Sequence, residues 1–375
     1  MINNENRYPI LWALGRKGYM VQYPLLAALN ESGKTLAVTA DVNIYLQNIS
    51  QSSQLLCAVE IPTNASSLIK FLLNWYKTKK ELVRQLKNNA SIIHIIMASP
   101  WDVFFMAAAK KANRPILLTI HDAQQHLGEE SFFMDAIRNW AISQADHIAV
   151  LSSNVEQTLK LNLKSDRPIH VVDEGLVMRV ERALPARIFP TGRAIKLLFH
   201  GRIHAYKGLA LLLDAMALLQ NQGCEYALTI AGSGDLTPYQ AKLEKLSNVS
   251  IHNYFISDAE LLQTLESHDV SVLPYVEASQ SAVAIDALWA ALPAVATPVG
   301  ALPKQFKHGV DALIIDTVDG DSLAKAIDKL CSDKQLYEAL SLGAYNSYQA
   351  TGPAKAASQW TRLYDDILNK LKTEN

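Results

Sequence analysis

The sequence has only three cysteines among 375 residues, Cys57, Cys224 and Cys331. They are far apart, odd in number and without the close spacing of a zinc or redox motif, so neither a disulfide framework nor a cysteine metal site is expected. A reducing cytoplasm is the expected compartment. An excess of charge of one sign is also lacking. The 35 basic residues meet 36 acidic ones, a formal charge of −1, which excludes wholesale electrostatic capture of nucleic acid and makes any basic function local. The opening residues MINNENRYP contain no basic stretch leading into a short apolar run and do not read as a secretory signal. An unbroken membrane span is missing too. SIIHIIMASPWDVFFMAAA is interrupted by His94, Pro100 and Asp102, and SAVAIDALWAALPAVATPVGAL by Asp286 and Pro293. Because Pro293 ends a helix just before the β-branched run Val295 to Val299, the second stretch reads as a buried helix followed by a buried strand. Without a short-period repeat or a low-complexity tract, solenoids and disordered tails are not expected.

What is present is an ample supply of core. Apolar residues make up 49% of a chain longer than a single core usually fills, so two domains are the first expectation. In the first half, the short apolar runs ILWALG, LAVTAD, SIIHIIMA, PILLTIHD, HIAVLS and HVVDEGL alternate with helix-period segments. Near-continuous apolar strands fit a parallel sheet covered by helices on both faces. VERALPARIFPTGRA then breaks all periodicity, and a second series follows with AIKLLFHG, YALTIAG, VSIHNYF, VSVLPY, PAVATPVG and ALIID as strands. The expected organisation is an α/β domain over residues 1–180, a linker at 181–193 and a second α/β domain over 194–355. A helix over 356–375 is expected to pack back toward the first domain. Open parallel sheets bind ligands at the carboxyl ends of their strands, so two facing sheets would put a site in the cleft between them.

The chemistry-bearing segments follow in order. FHGRIHAYKG sets Arg202 and Lys207 where a strand becomes a helix, so that an anion there would gain charge-assisted hydrogen bonds. Taken alone, the same segment reads equally as a solvated basic loop. IAGSGD comes after the next strand, and LPYVEASQSAVAIDALWAALPAVATPVGALP after that. With this ordered set the second half resembles the donor domain of GT-B glycosyltransferases, specifically the retaining glycosyltransferase family 4 of the bacterial polysaccharide type, and the likeness runs over most of the chain.

The resemblance implies a GT-B fold of two Rossmann-like α/β domains and transfer of a hexose from a UDP or GDP sugar. The acceptor would be a glycan or lipid-linked oligosaccharide in cell-surface polysaccharide synthesis. It assigns the donor pyrophosphate to Arg202 and Lys207, whose fixed charge would replace a divalent metal as the leaving group departs, so that neither metal nor other cofactor is expected. It assigns His121, in PILLTIHDAQQHLGEE, to the donor sugar, although one histidine after a strand is on its own more often a structural hydrogen-bonding residue, and His126 makes no metal motif with it. The donor contacts implied by motif position are Gly201, Gly232, Glu277, Gln280, Ser281, Ala282 and Asp286. Here the sequence departs from the family. The two glutamates separated by seven residues are replaced by Ala278 and Asp286, Glu277 lies one place early, and Gln280-Ser281-Ala282 replaces the aromatic-glycine turn.

Gly15, Arg16 and Lys17, in GRKGYMVQYP, suit an anionic acceptor or, equally, a solvated turn. Asp319-Gly320-Asp321 precedes a helical segment and reads as a cap rather than a metal ligand pair. Residues 68–87 read as a basic amphipathic helix in which Leu68, Leu72, Tyr76, Val83 and Leu86 share a face, while Lys70, Lys77, Lys79, Lys80, Arg84 and Lys87 are opposed only by Glu81. Either an anionic membrane or the protein core would take that apolar face. The expected location is therefore cytoplasmic, peripheral on the inner face of the cytoplasmic membrane. Two alternatives share the architecture: a non-catalytic homologue that stabilises a partner transferase, and a nucleotide-sugar epimerase.

Overall fold

The computed structural model describes residues 7–13, 24–29, 35–39, 54–58, 62, 64–122, 132–162, 167–172, 182–224 and 226–373. The chain divides into two compact units. The first comprises residues 1–125, 131–180 and 351–375, and the second residues 126–130 and 181–350. The segment read from the sequence as a linker, 181–193, therefore belongs to the second unit, and the chain returns to the first unit at Thr351.

The first unit holds a parallel sheet of seven strands among the described residues: β1 Tyr8–Ala13, β2 Leu36–Thr39, β3 Gln54–Ala58, β4 Ala90–Ile95, β5 Ile116–Ile120, β6 His147–Val150 and β7 Ile169–Val171. Their order across the sheet is β3-β2-β1-β4-β5-β6-β7. Strand β3, QLLCA, was not among the expected strands. Alternation along each strand supplies two cores. Ile10 and Trp12 of β1 and Ile93 and Ile95 of β4 face one cluster with Leu82, Leu86 and Phe105, while Leu11 and Ile92 face another with Leu25, Leu26 and Trp360. The second cluster is covered by the helix Pro353–Thr373, which buries Ala356, Ala357, Trp360, Tyr364 and Ile367 at helical spacing.

The second unit repeats the design with β8 Ile195–His200, β9 Tyr226–Ala231, β10 Val249–His252, β11 Val270–Leu273, β12 Ala294–Ala296 and β13 Ala312–Ile314. The order is β10-β9-β8-β11-β12-β13, again parallel. Leu197 and Phe199 point into one core and Leu198 into the other. Both sheets thus reverse direction of growth beside their first strand, at β1/β4 and at β8/β11.

The long helix Ala65–Asn89 begins at a capping box between Asn64 and Ser67. Its apolar residues do not form the single face read from the sequence. Leu82 and Leu86 are fully buried and Val83 packs against them, but Leu68, Leu72 and Tyr76 are 38%, 50% and 81% exposed. The reason is the pair Phe71 and Trp75, whose rings lie 5.5 Å apart and pack against Phe104 and Phe105. These aromatics take the core side of the first half of the helix and turn the aliphatic stripe toward solvent, where Ile69 and Leu73 join it.

Candidate functional site

In an open parallel sheet with this strand order, the loops leaving two adjacent strands part in opposite directions at the switch point and leave a crevice. In the second unit the switch lies between β8 and β11, so the crevice is lined by the segments that follow His200 and Leu273. These are the two segments that carry the charged and polar motifs. The structure therefore gathers Gly201, Arg202, Lys207, Gln280, Ser281, Ala282 and Asp286 at one edge of one sheet, and Gly232 directly follows the adjacent β9.

The loop after β8 is held tightly. Gly201 donates its N–H to Ala231 O at 2.9 Å and Ile203 donates to Ser233 O at 2.9 Å. A Cβ on Gly232, which has φ +145°, would stand 1.9 Å from Gly201 O. The loop ends in a single turn, Ala205–Lys207, closed by Gly208 at φ +70°. On the facing side, Val276 N–H donates to Tyr206 O at 2.8 Å and Thr297 Oγ1 donates to Tyr275 O at 2.6 Å.

Within this frame Lys207 is buried, and its ammonium donates to Tyr275 Oη at 2.6 Å and sits 4.5 Å from the centre of that ring. Tyr275 Oη lies 3.2 Å from Ser281 Oγ. Burial and the Asp286 carboxylate push the Tyr275 phenol well above its ordinary value, against the pull of the Ser281 hydrogen bond, so the phenol keeps its proton. Ser281 caps the helix Ala282–Trp289 by accepting from Ala284 N–H, and its own backbone is clamped by Gln305 through bonds of 2.9 and 3.0 Å. The first amides of that helix have no acceptor within the helix, and they lie on the same loop as the lysine's tyrosine partner. Arg202 is exposed, while Glu277 and Gln280 are half-buried, and Gln280 Oε1 is buried without a hydrogen-bond partner. Asp286 is buried, with Oδ2 3.4 Å from His200 Nε2.

In the first unit His121 follows β5 directly, and its Nε2–H donates to Ile96 O at 2.9 Å. Burial lowers its pKa, opposed by that hydrogen bond and by Asp122, and favours the neutral imidazole. Gly15, Arg16 and Lys17 lie outside the described residues, as does His126. Asp319 accepts from Ser322 N–H at 2.7 Å as the cap of helix Gly320–Ser332, and Asp321 pairs with Lys325 at 2.6 Å. The reading from sequence missed Tyr275, His200 and Gln305. Two of these carried a signal, since His200 immediately precedes Gly201 and Tyr275 stands just past the end of β11. Gln305 comes from a separate turn of helix and had none.

Comparison with known proteins gives this arrangement its context. The family model described as Glycosyltransferase Family 4 matches residues 15–177, and the one described as Glycosyl transferases group 1 matches residues 194–333. An uncharacterized glycosyltransferase of Methanocaldococcus jannaschii is 33% identical over 141 residues, a stretch that is 36% of this chain and 36% of that protein. The chain thus matches about a third of that relative's length. Sucrose-phosphate synthase from Thermosynechococcus elongatus has the same fold with a TM-score of 0.70 at 18% identity, over 97% of this chain and 100% of the other. Anabaena HepE in complex with UDP-glucose aligns with a TM-score of 0.66 at 15% identity, over 96% and 99% of the two chains.

Proposed function

We propose that this chain is a GT-B glycosyltransferase of family 4 that moves a hexose from a UDP or GDP sugar, with retention, onto a glycan or lipid-linked acceptor of bacterial cell-surface polysaccharide. The observation that carries the reading is the buried Lys207 ammonium, oriented by Tyr275 at the switch point of the second sheet. In this reading the donor diphosphate lies against the loop that follows β8, between Lys207, Arg202 and the first amides of helix Ala282–Trp289. As the bond from the sugar to the distal phosphate breaks, negative charge grows on the phosphate oxygens. A pre-oriented ammonium in a site of low dielectric stabilises that charge more than it stabilises the intact donor. The two cations carry this role without a divalent metal.

The close approach of backbone at Gly201 and Gly232 leaves room for the diphosphate beside the cations. Gln280 Oε1 offers an acceptor to a donor hydroxyl, and Glu277 and Asp286 take the sugar and the ribose. His121 keeps the donor-sugar role that the family resemblance implies, and Gly15, Arg16 and Lys17, outside the described residues, keep the acceptor role read from the sequence. That HepE is described in complex with UDP-glucose supports a nucleotide sugar as donor. For the acceptor side, the solvent-facing Leu68, Ile69, Leu72, Leu73 and Tyr76 stand among Lys70, Lys77 and Lys80, a surface suited to an anionic inner leaflet. No helix among the described residues is long and apolar enough to cross a membrane.

The test is a panel of UDP and GDP sugars scored for raised melting temperature and, with lipid-linked acceptors, for release of nucleoside diphosphate in the presence of EDTA. Binding of one donor and acceptor-dependent release with EDTA present are expected. Binding of neither UDP nor GDP would instead make the chain a non-catalytic homologue. Loss of turnover in EDTA that magnesium restores would remove the leaving-group role from the cations.

A further inference from the structure

A cavity of about 820 Å³ opens in the first unit at the amino ends of β1, β4, β5 and β6, the sheet edge opposite to the one that carries His121. Its wall includes Arg7, just before β1, Ser91 on β4, Arg114, just before β5, and Thr361 and Lys372 of the helix Pro353–Thr373. Arg114 is half-buried. One of its terminal nitrogens donates to Lys87 O at 2.8 Å, but its Nε is buried without a hydrogen-bond partner. Burial lowers the Arg114 pKa and the neighbouring Arg7 lowers it further. Ser91 Oγ, near the start of the neighbouring strand β4, is likewise buried without a partner. Two carboxylates also line the cavity, Asp146 and Asp365, yet Asp146 Oδ2 already accepts from Ile116 N–H at 2.9 Å.

A guanidinium placed beside a like charge and short of acceptors destabilises a fold unless an anion joins it. The planar fork of arginine suits the oxygens of a phosphate, and a serine hydroxyl supplies a further donor. The space is far larger than a bare phosphate ion requires and falls in the range that holds small metabolites. We infer that this cavity is a second ligand site, separate from the donor crevice, that takes a phosphorylated small molecule the size of a sugar phosphate, with Arg114 and Ser91 on the phosphate. Because Thr361 and Lys372 come from the helix that follows the second unit in the chain, the ligand would also fasten that helix to the first sheet.

The intact protein, kept saturated with UDP or GDP, whichever it binds, to fill the donor crevice, is titrated with glucose 6-phosphate, inorganic phosphate and glucose by calorimetry and by thermal melting. Glucose 6-phosphate should bind and raise the melting midpoint, phosphate should compete with it, and glucose should do neither. Arg114→Gln should weaken glucose 6-phosphate by at least about tenfold, the loss expected for a charge-assisted pair. Ser91→Ala should weaken it less and decides the matter if Arg114→Gln fails to fold, while Lys207→Ala should leave this binding intact. The inference is overturned if the parent does not bind glucose 6-phosphate at millimolar concentration, or if the folded cavity variants bind it as the parent does. It is equally overturned if only Lys207→Ala abolishes binding, which would put the phosphate in the donor crevice, or if only vesicles containing phosphatidic acid bind through Arg114. Failure of both UDP and GDP to bind would count against the transferase reading and leave the Arg114 comparison standing.

Discussion

The Lys207 ammonium rests 2.6 Å from the phenolic oxygen of Tyr275, a residue 68 positions further along the chain. That phenol remains protonated, so it can pass its own hydrogen toward Ser281 while accepting from the lysine. The two side chains act as one unit, with lysine supplying the charge and tyrosine its direction. Lys207→Ala should lower kcat by the equivalent of about 2–4 kcal/mol. Tyr275→Phe keeps the ring beneath the ammonium and removes one hydrogen bond, a loss of about 1 kcal/mol. Steady-state kinetics should show both effects in kcat, with the acceptor KM little changed. Equal turnover in Lys207→Ala and parent would end the assignment.

The close packing of the two crevice loops should be visible in glycine substitutions. A Cβ on Gly208 would stand 1.8 Å from Pro274 O at φ +70°, whereas one on Gly192, at φ +73°, would meet nothing within 4 Å. Gly192→Ala should therefore cost only the left-handed backbone penalty, about 1–2 kcal/mol. Gly208→Ala adds a backbone collision and should cost clearly more in urea unfolding. Similar midpoints for the two variants would show that the loops can separate freely.

Asp286 faces His200 inside the same crevice. Asp286→Asn keeps the shape and removes the charge, so it should weaken UDP or GDP binding by roughly 1–3 kcal/mol in calorimetry, while Asp286→Glu should retain it. An asparagine variant that binds nucleotide like the parent, with only its melting temperature lowered, would assign Asp286 to folding alone.

Asp102 opens the helix Asp102–Ala112 and is fully buried, with Oδ2 accepting from Ser99 N–H at 2.6 Å. Burial pushes its carboxyl from 3.8 up to about 7, against the pull of that bond. The folded state therefore binds the proton more tightly than the unfolded chain does. The stabilisation is fully present below about pH 4 and is lost as pH rises to about 7, for a total of up to about 4 kcal/mol from this group. Asp102→Asn stays neutral and still accepts from Ser99. In urea unfolding its advantage over the parent should grow between pH 5 and pH 8, and a constant difference would assign the burial cost to another group.

Ala291, at the end of the segment that follows the Ser281-capped helix, has φ +51° without being glycine, and Ser341 Oγ fixes its carbonyl at 2.7 Å. Ala291→Gly should relieve left-handed strain and stabilise the second unit by about 0.5–1 kcal/mol, less any packing lost with the methyl group. Thermal melting measures it. A lower midpoint would show that the buried methyl matters more than the strain.

Much of the fold was legible because both sheets are covered on both faces. Every second-half strand lies within a segment expected as a strand from the sequence. Strand β3, QLLCA, was missed, because so short an apolar run does not by itself distinguish a strand from a buried turn of helix. The helix over 65–89 was legible as a helix, but not in its orientation. Spacing alone makes Leu68, Leu72, Tyr76 and Leu86 neighbours, and only the packing of Phe71 and Trp75 against Phe104 and Phe105 decided which side faced the core.

The local sequence by itself determined the alternation of strand and helix, the caps at Asn64, Ser281 and Asp319, and the presence of Arg202 and Lys207 at the end of a strand. These depend on interactions within a few residues, which spacing and side-chain chemistry already contain. Only the tertiary structure decided the partners: Tyr275 for Lys207, His200 for Asp286, Gln305 for Ser281, and the meeting of Arg7 with Arg114. Each pair joins segments from different strands or turns, and their approach follows from sheet order. That order arises from burying both faces of the whole sheet at once, a property no single stretch of residues carries.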